Sequence, residues 1–103
     1  MFDLTPHRDH DTEARYLVEC AWPRITTTDV DELDRRVRAV ARRSRFRGIP
    51  VHHFGSIVMP TDELVLLEFL AGSAEVVAET CIRAGISFQR VIPVTRTPME
   101  VPL

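Results

Sequence analysis

The sequence predicts an α+β fold, a four-stranded antiparallel sheet with two helices on one face. Three observations carry that expectation. Apolar residues recur at helical spacing twice, from Val30 to Ser44 and from Val76 to Ala84. Four stretches, Ala14–Trp22, Val51–Val58, Glu63–Leu70 and Phe88–Thr95, have the length and residue types of strands. The middle two are joined by a tight turn at Met59–Asp62, so they form a hairpin.

The first strand, ARYLVECAW, alternates Tyr16, Val18 and Cys20 against Arg15, Leu17, Glu19 and Ala21. Both sets contain apolar residues, so both faces are at least partly covered. Pro23 has no ladder donor and ends the pairing. Thr26–Thr28 then offer an N-cap to a helix whose inward stripe is Val30, Leu33, Val37, Val40, Ala41 and Ser44. Its first half is acidic (Asp29, Asp31, Glu32, Asp34) and its second basic (Arg35, Arg36, Arg38, Arg42, Arg43), which complements the helix dipole at both ends. Asp31 with Arg35 and Asp34 with Arg38 stand at i, i+4, each pair contributing roughly 0.2–0.5 kcal/mol. Dipole and pairing explain the arginines as a solvated face, in preference to a phosphate or nucleic-acid patch. Gly48 and Pro50 close the helix region.

In the hairpin, Pro60-Thr-Asp supplies turn residues, and Gly55 in mid-strand predicts a bulge or a close approach by another backbone or a ligand. Leu64, Leu66 and Glu68 share one face of the third strand, Val65, Leu67 and Phe69 the other, which places this strand centrally. Ser73 caps a second helix that Gly85 ends, with Cys81 a buried small hydrophobe on its inward stripe. Pro93 confines the last strand to a sheet edge.

At 103 residues the chain is sized for one domain, over 14–95, between an N-terminal arm (1–13) expected to be flexible and a C-terminal tail (96–103). A formal net charge of -2 argues against general nucleic-acid binding. Two cysteines, Cys20 and Cys81, are too few for a disulfide framework and lack metal-type spacing, so a reduced, cytoplasmic location is expected. The N-terminus lacks the build of a signal peptide, and no apolar run of about 20 residues suits a membrane span. His7, His10, Asp9 and Asp11 in the arm offer metal-ligand chemistry, against which stands the plainer reading of a solvated tail.

Strand, helix, strand, strand, helix, strand, with short connections and right-handed crossovers, predicts the split βαβ, or ferredoxin-like, sandwich with strands one and three adjacent. Two helices cover one sheet face. Leu17, Ala21, Leu64 and Leu66 would then leave an apolar open face, which predicts a homodimer packed sheet to sheet with a ligand cleft. The same geometry puts Glu19 and Glu68 on that face, joined by His52 or His53 according to strand parity. Glu19, Glu68 and His53 are candidate small-ligand contacts, one of the carboxylates a candidate general base; Glu19, Glu68 and His52 are candidate metal ligands. In the plainer alternative each glutamate pairs with an arginine such as Arg15 or Arg90, and the histidine is polar surface.

RYLVE at Arg15–Glu19, PVHHFGSIVMPTDE at Pro50–Glu63, FLAGSAEVV from Phe69 and RAGISFQRVIPV at Arg83–Val94 give the chain a resemblance to a family of small, actinobacterial-type ferredoxin-like domains of unassigned function, some of whose relatives are described as nickel-binding. The resemblance implies the fold, dimerisation and a common place for Glu19 and Glu68. Many relatives carry a histidine in the second helix where this chain has Thr80; if it binds nickel in them, that ligand is missing here. The expected function is a small homodimer holding a small ligand or a divalent metal such as nickel in the open-face cleft, with no other cofactor. The alternative is a cofactor-free monooxygenase or isomerase of the dimeric α/β-barrel type, an analogy of fold. RNA binding is disfavoured, because Leu64, Leu66 and Glu68 stand where stacking aromatics and basic residues are needed. No nucleophile elbow, phosphate loop or CxxC occurs.

Overall fold

The computed structural model describes residues 13–97, so the N-terminal histidines and most of the C-terminal tail lie outside the described residues. The element order is β1 (Ala14–Ala21), α1 (Thr27–Phe46), β2 (Val51–Met59), β3 (Leu64–Ala71), α2 (Ala74–Arg83) and β4 (Arg90–Val94). The strands form one antiparallel sheet in the order β2-β3-β1-β4, the ferredoxin-like arrangement. As expected, β1 and β3 are central and β4, with Pro93, is an edge.

Tyr16, Val18 and Cys20 from β1 and Val65, Leu67 and Phe69 from β3 point to the helices and join Leu33, Val37, Val40, Val77 and Cys81 in one buried core. Burial of this set is the main favourable term in the fold, at roughly 25 cal/mol per Å² of apolar surface removed from water. Helix α1 starts at a capping box: Thr26 Oγ1 accepts from the Asp29 amide at 3.1 Å, and the Asp29 carboxylate accepts from the Thr26 amide at 3.1 Å. Ser73 caps α2 by accepting from the Val76 amide, and the buried Thr80 hydroxyl donates to the Val76 carbonyl at 2.8 Å.

Three expectations need correction. Strand β3 begins at Leu64, not Glu63, because Glu63 takes a left-handed φ of 54° to finish the turn. Strand β4 is shorter than Phe88–Thr95; Gln89 instead donates its amide to the Glu19 carbonyl at 2.8 Å, and its side chain accepts from the Ala21 amide. On α1, the i, i+4 pair within 4.0 Å among the described residues is Glu32–Arg36, and neither Asp31–Arg35 nor Asp34–Arg38 forms. Asp34 turns inward instead.

The bulge read from Gly55 is present. Strands β2 and β3 pair His53 with Phe69 and then Gly55 with Glu68, so Phe54 is the extra residue. Gly55 has φ 142°, a conformation that L side chains rarely adopt, although nothing lies within 4 Å of where a Cβ would stand. Gly55→Ala is therefore expected to cost about 1–3 kcal/mol through backbone strain alone, read as a lower denaturation midpoint without loss of the fold.

The two thiols give a pH dependence. Burial pushes Cys20 from 9.0 up to about 11 and Cys81 up to about 12, helped by Glu19 for the first and by Cys20 for the second. Below about pH 9 both thiols are protonated in folded and unfolded chains alike. Above it the unfolded chain releases its thiol protons first, so this contribution to stability declines as pH rises through 9 towards 11–12. Denaturation midpoints measured between pH 8 and 11 should fall more steeply for the natural chain than for a Cys20→Ala/Cys81→Ala variant; equal slopes would contradict the assignment.

Candidate functional site

The register determines what the open sheet face presents. Leu17, Glu19, Leu64, Leu66, Glu68 and Leu70 project there from the central strands, with Ile57 and Met59 from β2 and Ile92 from β4. Phe54 at the bulge is 50% exposed and Ile57 is 49% exposed. Among the described residues no helix packs over these side chains, whereas the alternate residues of β1 and β3 are buried.

Two carboxylates interrupt the apolar rows. Glu19 Oε1 accepts from Arg90 Nε at 2.6 Å across the β1–β4 pair. Glu68 Oε2 accepts from Arg15 Nη1 at 3.0 Å, and Arg96 Nη2 stands 3.7 Å from the same oxygen. The Arg15 guanidinium also lies over the Phe54 ring, 5.5 Å from its centroid. Part-exposed pairs of this kind contribute about 0–1 kcal/mol each, so they do little for stability. Their consequence is electrostatic. Two carboxylates are matched by three guanidiniums, which leaves the polar part of this face slightly positive.

The glutamates sit on adjacent central strands as the sequence indicates, but they are not directly opposite: Leu17 faces Glu68 and Glu19 faces Leu66, a diagonal offset of two residues. His52 pairs with Leu70 and so shares the open face. His53 does not. It is buried on the helix side of the sheet, its ring 4.9 Å from that of Phe69, so its expected place beside Glu19 and Glu68 in an open-face cleft is corrected.

The surroundings of His53 are a constellation the sequence reading missed. Its Nδ1 donates to the Glu68 carbonyl at 3.0 Å, and its Nε2 lies 2.7 Å from Asp34 Oδ1, which also accepts from Ser56 Oγ at 2.6 Å. A carbonyl only accepts, so Nδ1 is the donor there, which turns Nε2 to the Asp34 carboxylate. The arrangement ties α1 to edge strand β2. It is not a nucleophile–base relay, because Ser56 and His53 both bond the carboxylate and not each other. One signal was available: Asp34 stands at i+4 from Val30 and i−3 from Val37, within the inward stripe. Ser56 was not legible, because only the bulge brings it to the same side as His53.

Each open-face glutamate is engaged by arginine, and among the described residues no group of three or more His, Cys, Asp or Glu side chains is placed to hold a metal ion. A cavity of about 370 Å³ lies elsewhere, where Trp22 and Ile86 meet the start of α1. Its charged groups are already occupied, Asp29 in the capping box and Glu32 with Arg36.

No protein-family model matches the chain, and no curated protein sequence does. The fold is similar to that in the crystal structure of SCO4226 from Streptomyces coelicolor A3(2), with a TM-score of 0.71 and 19% identity over 82% of this chain and 100% of that one. At this identity the likeness establishes the architecture: the chain is a small α+β domain of ferredoxin-like fold.

Proposed function

We propose that the protein is a homodimer, packed through its open sheet faces, that holds a small amphipathic organic molecule in the cleft between the two sheets. The observation that carries this reading is the open sheet face, where Leu17, Leu64, Leu66 and Leu70 are half-buried beside the exposed Phe54 and Ile57 and no helix of the described residues packs over them. A surface of that kind is stabilised by a second apolar layer. The same fold in a second copy supplies one, with its own arginine–glutamate pairs at the margins. The slight excess of guanidinium favours a ligand with an apolar body and an anionic or carbonyl group over a metal cation. The two unpaired thiols, Cys20 and Cys81, suit a reducing compartment such as the cytoplasm. Among the described residues no helix is long and apolar enough to cross a membrane.

Binding is preferred to catalysis because the proton-transfer candidates are engaged elsewhere. His53 is held on the other side of the sheet by Asp34 and the Glu68 carbonyl, and both open-face carboxylates are ion-paired.

Sedimentation velocity at micromolar concentration should give a species of twice the chain mass. Leu66→Arg should give a monomer with unchanged far-ultraviolet circular dichroism, because the side chain enters no core contact. A monomeric natural chain would sink the dimer. Calorimetric titration of untagged protein with nickel and zinc should show no stoichiometric uptake at this face; uptake abolished by Glu68→Gln would restore the metal reading.

A further inference from the structure

A cavity of about 230 Å³ lies between the second half of α1 and edge strand β2, and its polar lining is basic. Arg38, Arg42 and Arg45 enter it from the helix at i, i+4 and i+7, and His52 and Phe54 from the strand. No carboxylate lines it. The acid expected to neutralise Arg38 is Asp34, which instead bonds His53 and Ser56, while Glu32 meets Arg36. Among the described residues, none of the three arginines has a carboxylate within 4.0 Å. Arg45 is held in place, donating from Nη1 to the Val51 carbonyl at 2.8 Å.

Three guanidiniums around one small cavity repel one another. The negative end of the α1 dipole offsets only about half a charge. A dianion with several acceptor oxygens removes the repulsion and matches the fork geometry of arginine. We infer that this cavity binds the phosphate group of a phosphate monoester, with Arg38, Arg42 and Arg45 as its ligands, Arg45 anchored by the Val51 carbonyl. The volume suits a phosphate carrying a short organic group and is below that of usual drug-sized sites. The cavity opens at the β2 edge, where it borders the proposed dimer face at His52 and Phe54, but its three arginines all come from α1 and the inference does not rest on the dimer. Of the dipole-matched, paired face expected from the sequence, the dipole match stands with Asp29 in the first turn and Arg43 and Arg45 in the last, while the Asp34–Arg38 pair does not form.

The phosphate group of a soluble metabolite and that of a lipid headgroup share this chemistry, and the test separates them. Amide resonances of the full chain are followed by nuclear magnetic resonance during titration with glycerol 3-phosphate, and separately with phosphatidylcholine vesicles with and without phosphatidic acid. Saturable shifts confined to residues 38–46 and 51–54, weakened about tenfold or more by Arg42→Gln and unaltered by Arg83→Gln on α2, are expected. A response to glycerol 3-phosphate assigns a soluble ligand. A response to phosphatidic acid vesicles alone, again lost in Arg42→Gln, assigns a headgroup. No saturable response in either arm, or equal weakening by Arg42→Gln and Arg83→Gln, overturns the site.

Discussion

A four-stranded sheet has two faces, and the two helices among the described residues pack on only one of them. Because β1 and β3 alternate strictly, Tyr16, Val18, Cys20, Val65, Leu67 and Phe69 are taken into the core, while Leu17, Leu64, Leu66 and Leu70 are left on the far side. The chain spends nearly as many large apolar side chains on the uncovered face as on the covered one. A solvated sheet face ordinarily carries polar residues. The reading of this protein as half of a larger unit grows from that imbalance.

The charged groups reinforce it. Glu19 and Glu68 lie among leucines, and each is met by an arginine from the first residues of a strand or from just beyond one: Arg90, Arg15 and Arg96. Pairing makes the carboxylates tolerable on a face that is to be covered, since an unpaired charge there would oppose association. The bulge at Phe54 divides the roles of the two histidines, leaving His52 with the open face and committing His53 to the helix side. Asp34, drawn inward by His53 and Ser56, in turn leaves Arg38 to the cavity beside β2. A single extra residue in β2 thus shapes both candidate sites.

Much of the architecture was legible in the sequence because it rests on period. The helical stripe from Val30 to Ser44, the alternation in β1 and the two-sided apolar strand β3 gave the element order, and Pro93 located the edge. Pairing of the glutamates with arginines such as Arg15 or Arg90 was the plainer alternative, and the register decides which meets which: Glu19 with Arg90 and Glu68 with Arg15. What escaped depends on side-chain choice between partners that spacing treats as equal. Asp34 stands four residues before Arg38 on the helix, yet a neighbour distant in sequence, His53, captures it across the core. Ser56 and the parity of His53 depend on where the bulge falls, which Gly55 indicated in kind but not in consequence.

In the proposed homodimer two copies meet through the open sheet face. Isotope-filtered nuclear Overhauser spectroscopy on a mixture of labelled and unlabelled chains tests it directly. Intermolecular contacts are expected among the methyl groups of Leu17, Leu64, Leu66 and Leu70. Intermolecular contacts confined to exposed helix residues such as Phe46 and Ile82, or none at all, would contradict it.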